Sequence, residues 1–566
     1  MNSLIILIVS TVWIVFAYFW YGKRKIQNNL VAPLDKKQTP ANSKQDNIDY
    51  YPAARMVLFG HHFSSIAGAG PIVGPIIAVA AFGWGPSVLW LLLGGVFIGG
   101  VHDYLSLMIS ERNDGCSIPD TADKYVSSRA RILFLVFVWF TIVLVAAVFA
   151  AFAARAMLNH PEIVLPTFLL IPLAIIFGII NKKQIIPLSI NTIIAILGLI
   201  FLIWLGYKFP ISIVIKKDIL ILGLEISGVK ALYMFWFTLL MIYGFAASIT
   251  PVWILLQPRD YISSWVLIIG VIIVFVGIFF THPTMSAPVF TSFVDSQQGP
   301  LFPFLFIIIA CGAVSGFHSI VAGGTSSKQL KKEKDGLPIA YGAMLSETLI
   351  GIISVIIAGG AIVWVGVNNL GDLLSNGTPL DVYGNGFGLL TSFLFGNKLG
   401  VLVGIMIVNI FIMTSLDTSV RLARFLTGEM VGNKFKFIKK NKIILTIIPI
   451  IPAFLLGISG EWKRLWPVFG SANQLVAALV LIIITAYLFT KGKTIKYTLW
   501  AAIFMLIITI SALILLAKKY LLCEKPNFIL GILSVFLVIL AIFMVIEGVK
   551  LIIKNIEKKR GFENGV

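Results

Sequence analysis

Charge is what this chain has least of. Only 12% of its 566 residues are Asp, Glu, Lys or Arg, about half the share of a soluble domain. A protein of this length cannot cover its surface with so few charges, so part of its solvent is lipid. Cysteine is scarce too. Cys116, Cys311 and Cys523 stand far apart, which excludes a disulfide framework and a CxxC metal site. Long polar stretches are missing, so no large soluble domain fits. The patterns GxxxxGK[ST], HExxH and GxSxG are absent. Neither ATP-driven chemistry nor a hydrolase is expected, and the chain does not read as an enzyme.

What the chain has is apolar length. Hydrophobic residues make up 58%, in runs of about 20 that recur from end to end, as helices crossing a bilayer require. The runs predict fifteen helices, over 2–22, 61–82, 84–110, 132–158, 163–180, 186–206, 231–256, 262–281, 301–322, 338–366, 399–427, 443–458, 466–490, 497–517 and 527–552. The formal net charge of +19 would suit nucleic acid, but the basic residues cluster at alternate ends of the runs, as at Lys23–Lys25, Lys182–Lys183 and Lys328–Lys334. That is the positive-inside pattern of a membrane protein. It predicts an outside N-terminus, a cytoplasmic C-terminus and the lipid bilayer, not nucleic acid, as partner. A basic cluster following residues 1–22 is the reverse of a cleavable signal peptide, so a retained first helix is expected. The polar segment 23–60 reads as a cytoplasmic linker, 207–230 as an external loop with β character, and 367–397 as another external loop.

Two runs contain helix breakers. "HHFSSIAGAGPIVGP" begins the first, at 61–82, and "MIYGFAASITPVWILLQPRD" is the second, at 241–260. Bare backbone at membrane depth is tolerable only where it lines a cavity. Two interrupted helices at matching places in halves of opposite sense mark an inverted-repeat transporter. The spacing sets repeats at 61–206 and 231–427, with helix 1–22 before them and about four helices, 443–552, after. Tight packing of small residues is the competing explanation of the glycines.

"HHFSSIAGAGPIVGP", "GGVHDYLSLMISERNDGCSI" at 99–118 and "CGAVSGFHSIVAGGTSSKQL" at 311–330 resemble blocks of the carbon starvation protein A (CstA) family, and the resemblance covers most of 50–430. It implies a bacterial inner-membrane transporter linked to nutrient limitation, importing peptides or pyruvate with a coupling cation. It also implies an all-α polytopic membrane protein with the LeuT-type five-plus-five inverted repeat of the amino acid–polyamine–organocation superfamily.

The candidate residues come from the breaks and the buried charges. Ser64, Ser65, Gly68, Ala69 and Gly70 offer hydroxyls and freed N–H groups at a half-helix N-terminus, which suits a carboxylate; Thr250 and Trp253 lie at the second interruption. His61 and His62 point about 100° apart on a helix, and imidazole suits a proton-coupled step or a gate. Asp103, His318, Glu347 and Asp417 are ionisable groups within apolar runs, and such groups are functional by default. Asp417 has Arg421 one turn on, which favours a local pair; Glu347 has no local partner. The carbonyls of Ile66 and Ala67, with Ser315 and Ser319, form a possible cation site; the two serines come from the resemblance, which sets their span against the first broken helix. Serine back-bonding to its own helix competes there. The coupling ion, H⁺ or Na⁺, is left open, and no cofactor or resident metal is expected. A channel, a membrane-embedded enzyme, a non-transporting nutrient sensor and an amino-acid transporter are the alternatives, and a homo-oligomer remains open.

Overall fold

A helix satisfies its own backbone in lipid, and its outer face then reports where it sits. In the computed structural model, which describes all residues except 35–37, 47–49, 214, 216–217, 222–223, 368, 433–434, 524–525 and 564–566, the apolar runs fold as helices, two of them broken. The main helices are α1 (Ser3–Leu30), α2 (Arg55–Ile66), α3 (Gly70–Phe82), α4 (Trp84–Arg112), α5 (Ser128–Asn159), α6 (Pro161–Lys182), α7 (Leu188–Lys208), α8 (Gly228–Ile249) and α9 (Leu256–Thr281). They continue with α10 (Leu301–Ile308), α11 (Gly316–Gly324), α12 (Glu333–Ala361), α13 (Asn397–Val431), α14 (Lys442–Gly457), α15 (Trp462–Thr490), α16 (Lys496–Leu521) and α17 (Phe528–Lys550). Twelve of these are long and apolar enough to cross a membrane, thirteen if the bent pair α2–α3 counts as one span. With the shorter α14 and the pair α10–α11, they account for the fifteen expected segments.

Burial sorts the helices. α7 exposes Ile190, Ile193, Ile194, Leu197, Ile200, Phe201 and Trp204, and α1 exposes Ile5, Ile8, Val9, Val12, Phe16 and Phe19. Apolar residues recurring every three to four positions on an outward face are a lipid-facing stripe. α13 and α15 are apolar and buried on almost every face over their middle turns, so they are central. α5 and α13 pack along each other. α8 and α14 each pack on both of them and on one another. α9 packs on α2, and α15 on α11. α6 and α7 pair with each other at the periphery.

The structure moves the second interruption. α8 runs unbroken through Gly244 to Ile249, and the Thr250–Pro251 region is its end rather than a mid-helix gap. Gly244 lies inside the helix, packed against Val420, and Pro251 follows its capping residue Thr250. The second broken element is α10–α11, opened at 309–315 inside "IACGAVS", where a continuous helix over 301–322 was expected. Three further differences have local causes. α1 continues to Leu30 rather than ending at 22, through a stretch of widened turns. The expected linker is tied down on the bundle: Tyr51 N donates to Lys328 O, Ala53 N to Gln329 O and Leu34 N to Glu333. Within 367–397, Leu370–Asn376 and Pro379–Leu390 are helical; the second is started by Thr378 and Asp381, which cap each other's backbone ends, and by Pro379 in its first turn. Among the described residues of 207–230, the β character is an antiparallel pair, Ile219–Ile221 with Leu224–Ile226.

Small residues let the elements meet. A Cβ on Gly74 would lie 2.3 Å from the Ile308 carbonyl oxygen, and one on Gly316 2.3 Å from Asn473 O. Gly74→Val and Gly316→Val are therefore expected to destabilise the full chain by about 1–3 kcal/mol, read as a lower thermal midpoint in detergent. At the bundle end, His160 Nε2 meets Asp381 Oδ1 at 2.6 Å. Burial pushes the Asp381 carboxyl up, but the hydrogen bond and charge of His160 outweigh it and hold it below its ordinary 3.8. A carboxylate held low adds stability above its unfolded pKa and loses it as the pH falls through the folded value. Between pH 5 and pH 3, on the order of the ordinary range, wild type should lose more thermal stability than Asp381→Asn.

Candidate functional site

The two broken elements cross at their gaps. α2 and α3 bend by 41° around residues 67–69, and a Cβ on Gly70 would lie 2.3 Å from Cys311 Cβ in the other gap. Gly312 likewise faces Pro71. Freed backbone at this depth must be satisfied, and side chains from neighbouring helices do it. Thr414 Oγ1 donates to Ser64 O at 2.9 Å and Ser415 Oγ to Ser65 O at 3.4 Å. Trp90 Nε1 donates to Ile309 O at 3.2 Å, Thr348 Oγ1 to Gly312 O at 3.0 Å and Gln474 Nε2 to Phe306 O at 2.6 Å. Asn473 holds the start of α11: its Oδ1 accepts from Phe317 N at 2.8 Å, and its Nδ2 donates to Ser315 Oγ at 3.0 Å.

Two charged networks flank the crossing on the α2 and α11 side. The first is centred on Arg259, fully buried on α9. It forms a fork with Asp417 of α13 (Nη1–Oδ2 2.5 Å, Nη2–Oδ1 2.8 Å) and reaches Asp260 Oδ1 at 3.2 Å. Tyr243 of α8 donates to Asp417 at 2.9 Å and also touches Arg259. Asp260 extends the network into the first broken helix: His61 Nδ1 donates to its Oδ2 at 2.8 Å, Ser64 Oγ to its backbone oxygen at 2.7 Å, and Ser65 Oγ lies 3.5 Å from Oδ2. The second network links four buried groups in line. His102 Nδ1 meets Asp103 Oδ1 at 2.7 Å, Asp103 Oδ2 meets His318 Nδ1 at 2.8 Å, and His318 Nε2 lies 3.3 Å from Glu347 Oε2. No hydrogen bond of good geometry reaches either Glu347 oxygen among the described residues. His62 points to Ser326, with Nδ1 and Oγ 2.8 Å apart, so the adjacent histidines diverge as their helical spacing requires.

The expected residues divide accordingly. His61, His62, Ser64, Ser65, Gly68, Ala69, Gly70, Asp103, His318 and Glu347 gather at or beside the crossing. Thr250 and Trp253 do not: Trp253 lies under Lys182, 3.4 Å from its ring centre, in a small cleft with Tyr51 and Val57. Val57 is ten residues, about 15 Å of helix, from the break. The pair expected between Asp417 and Arg421 is replaced, since Arg259 takes Asp417 while Arg421 binds the Ala247 and Thr250 carbonyls at the end of α8. Glu347, expected alone, has His318 beside it. Ser315 lies in the second gap and is held by Asn473, Ser319 donates to Gly316 O of its own helix at 2.7 Å, and the hydroxyls that bond the end of the first broken helix are those of Thr414 and Ser415. The Ile66 carbonyl accepts from Gly68 N; no bond to Ala67 O is seen among the described residues. Arg259, Asp260, Tyr243 and Asn473 are not singled out by the sequence pattern, although "QPRD" places adjacent opposite charges in an apolar run and "TSLDTS" enriches one helix in hydroxyls.

Removing one member of a buried ion pair leaves the other uncompensated. Arg259→Met should destabilise the chain by about 3–5 kcal/mol, and adding Asp417→Leu should recover most of it; thermal denaturation of both variants in detergent measures this.

The profile of the family described as "Carbon starvation protein CstA" matches residues 2–376 and 365–512. The peptide transporter CstA of Mycobacterium tuberculosis is 32% identical over 86% of this chain and 72% of its own length, and that of Bacillus subtilis is 32% identical over 85% of each. The pyruvate/proton symporter BtsT of Escherichia coli is 30% identical over 89% of this chain and 81% of its own. Among solved structures, a manganese transporter of Eremococcus coleocola superposes with TM-score 0.47 at 11% identity, over 90% of this chain and 99% of that one. A multi-pass membrane protein with helices broken at one crossing, matching this profile over most of its length, belongs to the CstA family.

Proposed function

We propose that the protein is a proton-coupled secondary transporter that imports a small carboxylate nutrient, pyruvate or a short peptide, across the bacterial inner membrane, with its N-terminus outside and its C-terminus in the cytoplasm. The observation that carries this reading is the buried line His102–Asp103–His318–Glu347, which joins α4, α11 and α12 beside the crossing. Ionisable groups are expensive inside a membrane and persist where they move ions or protons. His318 stands between two carboxylates and can pass a proton from one to the other. A charged Glu347 without hydrogen bonds is costly to bury, so it is the member best suited to take up a proton and release it. The proton symporter among the relatives supports the same ion, while Arg259 already supplies a fixed cation to Asp417.

The starts of α3 and α11 converge on the crossing, bringing two partial positive charges to one place, which favours a carboxylate. Ser64, Ser65, Gly68, Ala69 and Gly70 are the groups it would meet once the gaps part. In place of the repeats expected at 61–206 and 231–427, the position of the second break suits two inverted sets of five in the LeuT manner. The first is α2–α3, α4, α5, α8 and α9; the second is α10–α11, α12, α13, α14 and α15. α6 and α7 are then an insertion in the first set, and α16 and α17 come after the second. Rocking of one set against the other would expose the crossing alternately to the two sides.

In proteoliposomes, saturable uptake of radiolabelled pyruvate or alanyl-alanine is expected under an imposed proton gradient and not under a sodium gradient. Glu347→Gln and His318→Gln should lower gradient-driven uptake at least about tenfold, within the 5- to 150-fold scale of a coupling free energy, while substrate exchange without a gradient persists. Uptake that tracks sodium alone, or is untouched by both variants, sinks the proton reading.

A further inference from the structure

At the end of the bundle opposite α2, a cavity of about 570 Å³ opens between α3, α15, α16 and the 295–298 and 371–375 segments. Its size is that of a small-molecule site. Its walls combine aromatic surface with positive charge: Trp462, Trp466 and Tyr520 line it beside Lys463, Arg464 and Lys519. The two lysine ammonium groups donate only to neutral carbonyls, Lys463 to Leu374 O at 3.3 Å and Lys519 to Gln297 O at 2.7 Å. Neither has a carboxylate partner among the described residues. Arg464 is loosely paired with Glu461 at 3.6 Å. The described lining residues include one carboxylate, Asp295, and its Oδ1 is occupied by the Gln297 and Gln298 amides. A second feature is Trp466. That side chain is 2% exposed, lines the cavity, and has no hydrogen-bond partner for its indole N–H among the described residues. That N–H has almost no surface open to the cavity, so Trp466 offers an occupant its ring rather than a hydrogen bond.

We propose that this cavity is a separate binding site for an organic carboxylate, in which Lys463 and Lys519 attract the anion while Trp462, Trp466 and Tyr520 hold its apolar part. Ile77, its lining residue nearest the break, is seven residues, about 10 Å of helix, from Gly70, so the cavity is separate from the crossing. Charge concentrated in a cleft with aromatic walls raises the local concentration of an opposite ion. Binding at this site does not rest on the proposed transport function.

The test uses the full chain in nanodiscs of phosphatidylcholine, with tryptophan fluorescence recorded while alanyl-alanine or pyruvate is titrated in, and alanyl-alanine amide as a control lacking the carboxylate. A saturable change with at least one carboxylate and not with the amide is expected. It should vanish in Trp462→Phe/Trp466→Phe, and its midpoint should weaken about fivefold per charge in Lys463→Gln and Lys519→Gln. Both lysines are exposed, so these variants test the site without disturbing the core. The response should persist in Asp103→Asn/Glu347→Gln. No response to either carboxylate, an equal response to the amide, or indifference to the lysine variants overturns the proposal. A lysine-sensitive response without wild-type uptake keeps the site and removes the transporter reading; uptake without the response does the reverse.

Discussion

The burial of Arg259 constrains everything around it. A guanidinium fully removed from water is tolerable only if its charge and its donors are matched by fixed partners. Asp417, Asp260 and Tyr243 supply them to the two terminal nitrogens from α13, α9 and α8, leaving Nε without a partner among the described residues. Three helices are thereby held at fixed spacing, and Asp260 hands the constraint on to His61, Ser64 and Ser65 of the first broken helix. The orientation of α2, and with it the position of the first gap, depends on this one cation.

The gaps themselves show the same economy of partners. Several of the carbonyls and amides freed by the interruptions are met by a hydroxyl, amide or indole from a helix that crosses them, as Thr414 meets Ser64 and Asn473 meets Phe317. The glycines beside these contacts are steric necessities rather than hinges. Gly70, Gly74 and Gly316 each face heavy atoms closer than any side chain would allow. Close packing and polar satisfaction therefore fix the crossing together.

The helices were legible in the sequence because burial in lipid leaves a coarse signal: some twenty apolar residues, then charge. The first break was legible because Gly68, Gly70, Pro71, Gly74 and Pro75 fall in one run. The second was misplaced. Gly244 and Pro251 look like breakers but sit in and after an intact helix, whereas 309–315 holds Gly312 and no proline, so its opening is imposed by the tertiary partners Trp90, Thr348 and Asn473. The same holds for charge. That Asp103, His318 and Glu347 mattered could be read from their cost in an apolar run, but which carboxylate meets which cation could not, because Arg259 and Asp417 are 158 positions apart. Arg421, one turn from Asp417, was the nearer choice along the chain and the wrong one in space.

The contact between Gly70 and Cys311 also sets a mechanical condition. The two gaps touch there, so a ligand lodged between Gly70 and Cys311 would have to separate the helices. The work of parting such a seam depends mainly on the contacts broken along it and little on the size of the molecule that slips in. A two-carbon difference between ligands would then matter little to opening and much to closing, when the helices must fit back around whatever lies between them. Selectivity in such a device belongs to the return stroke.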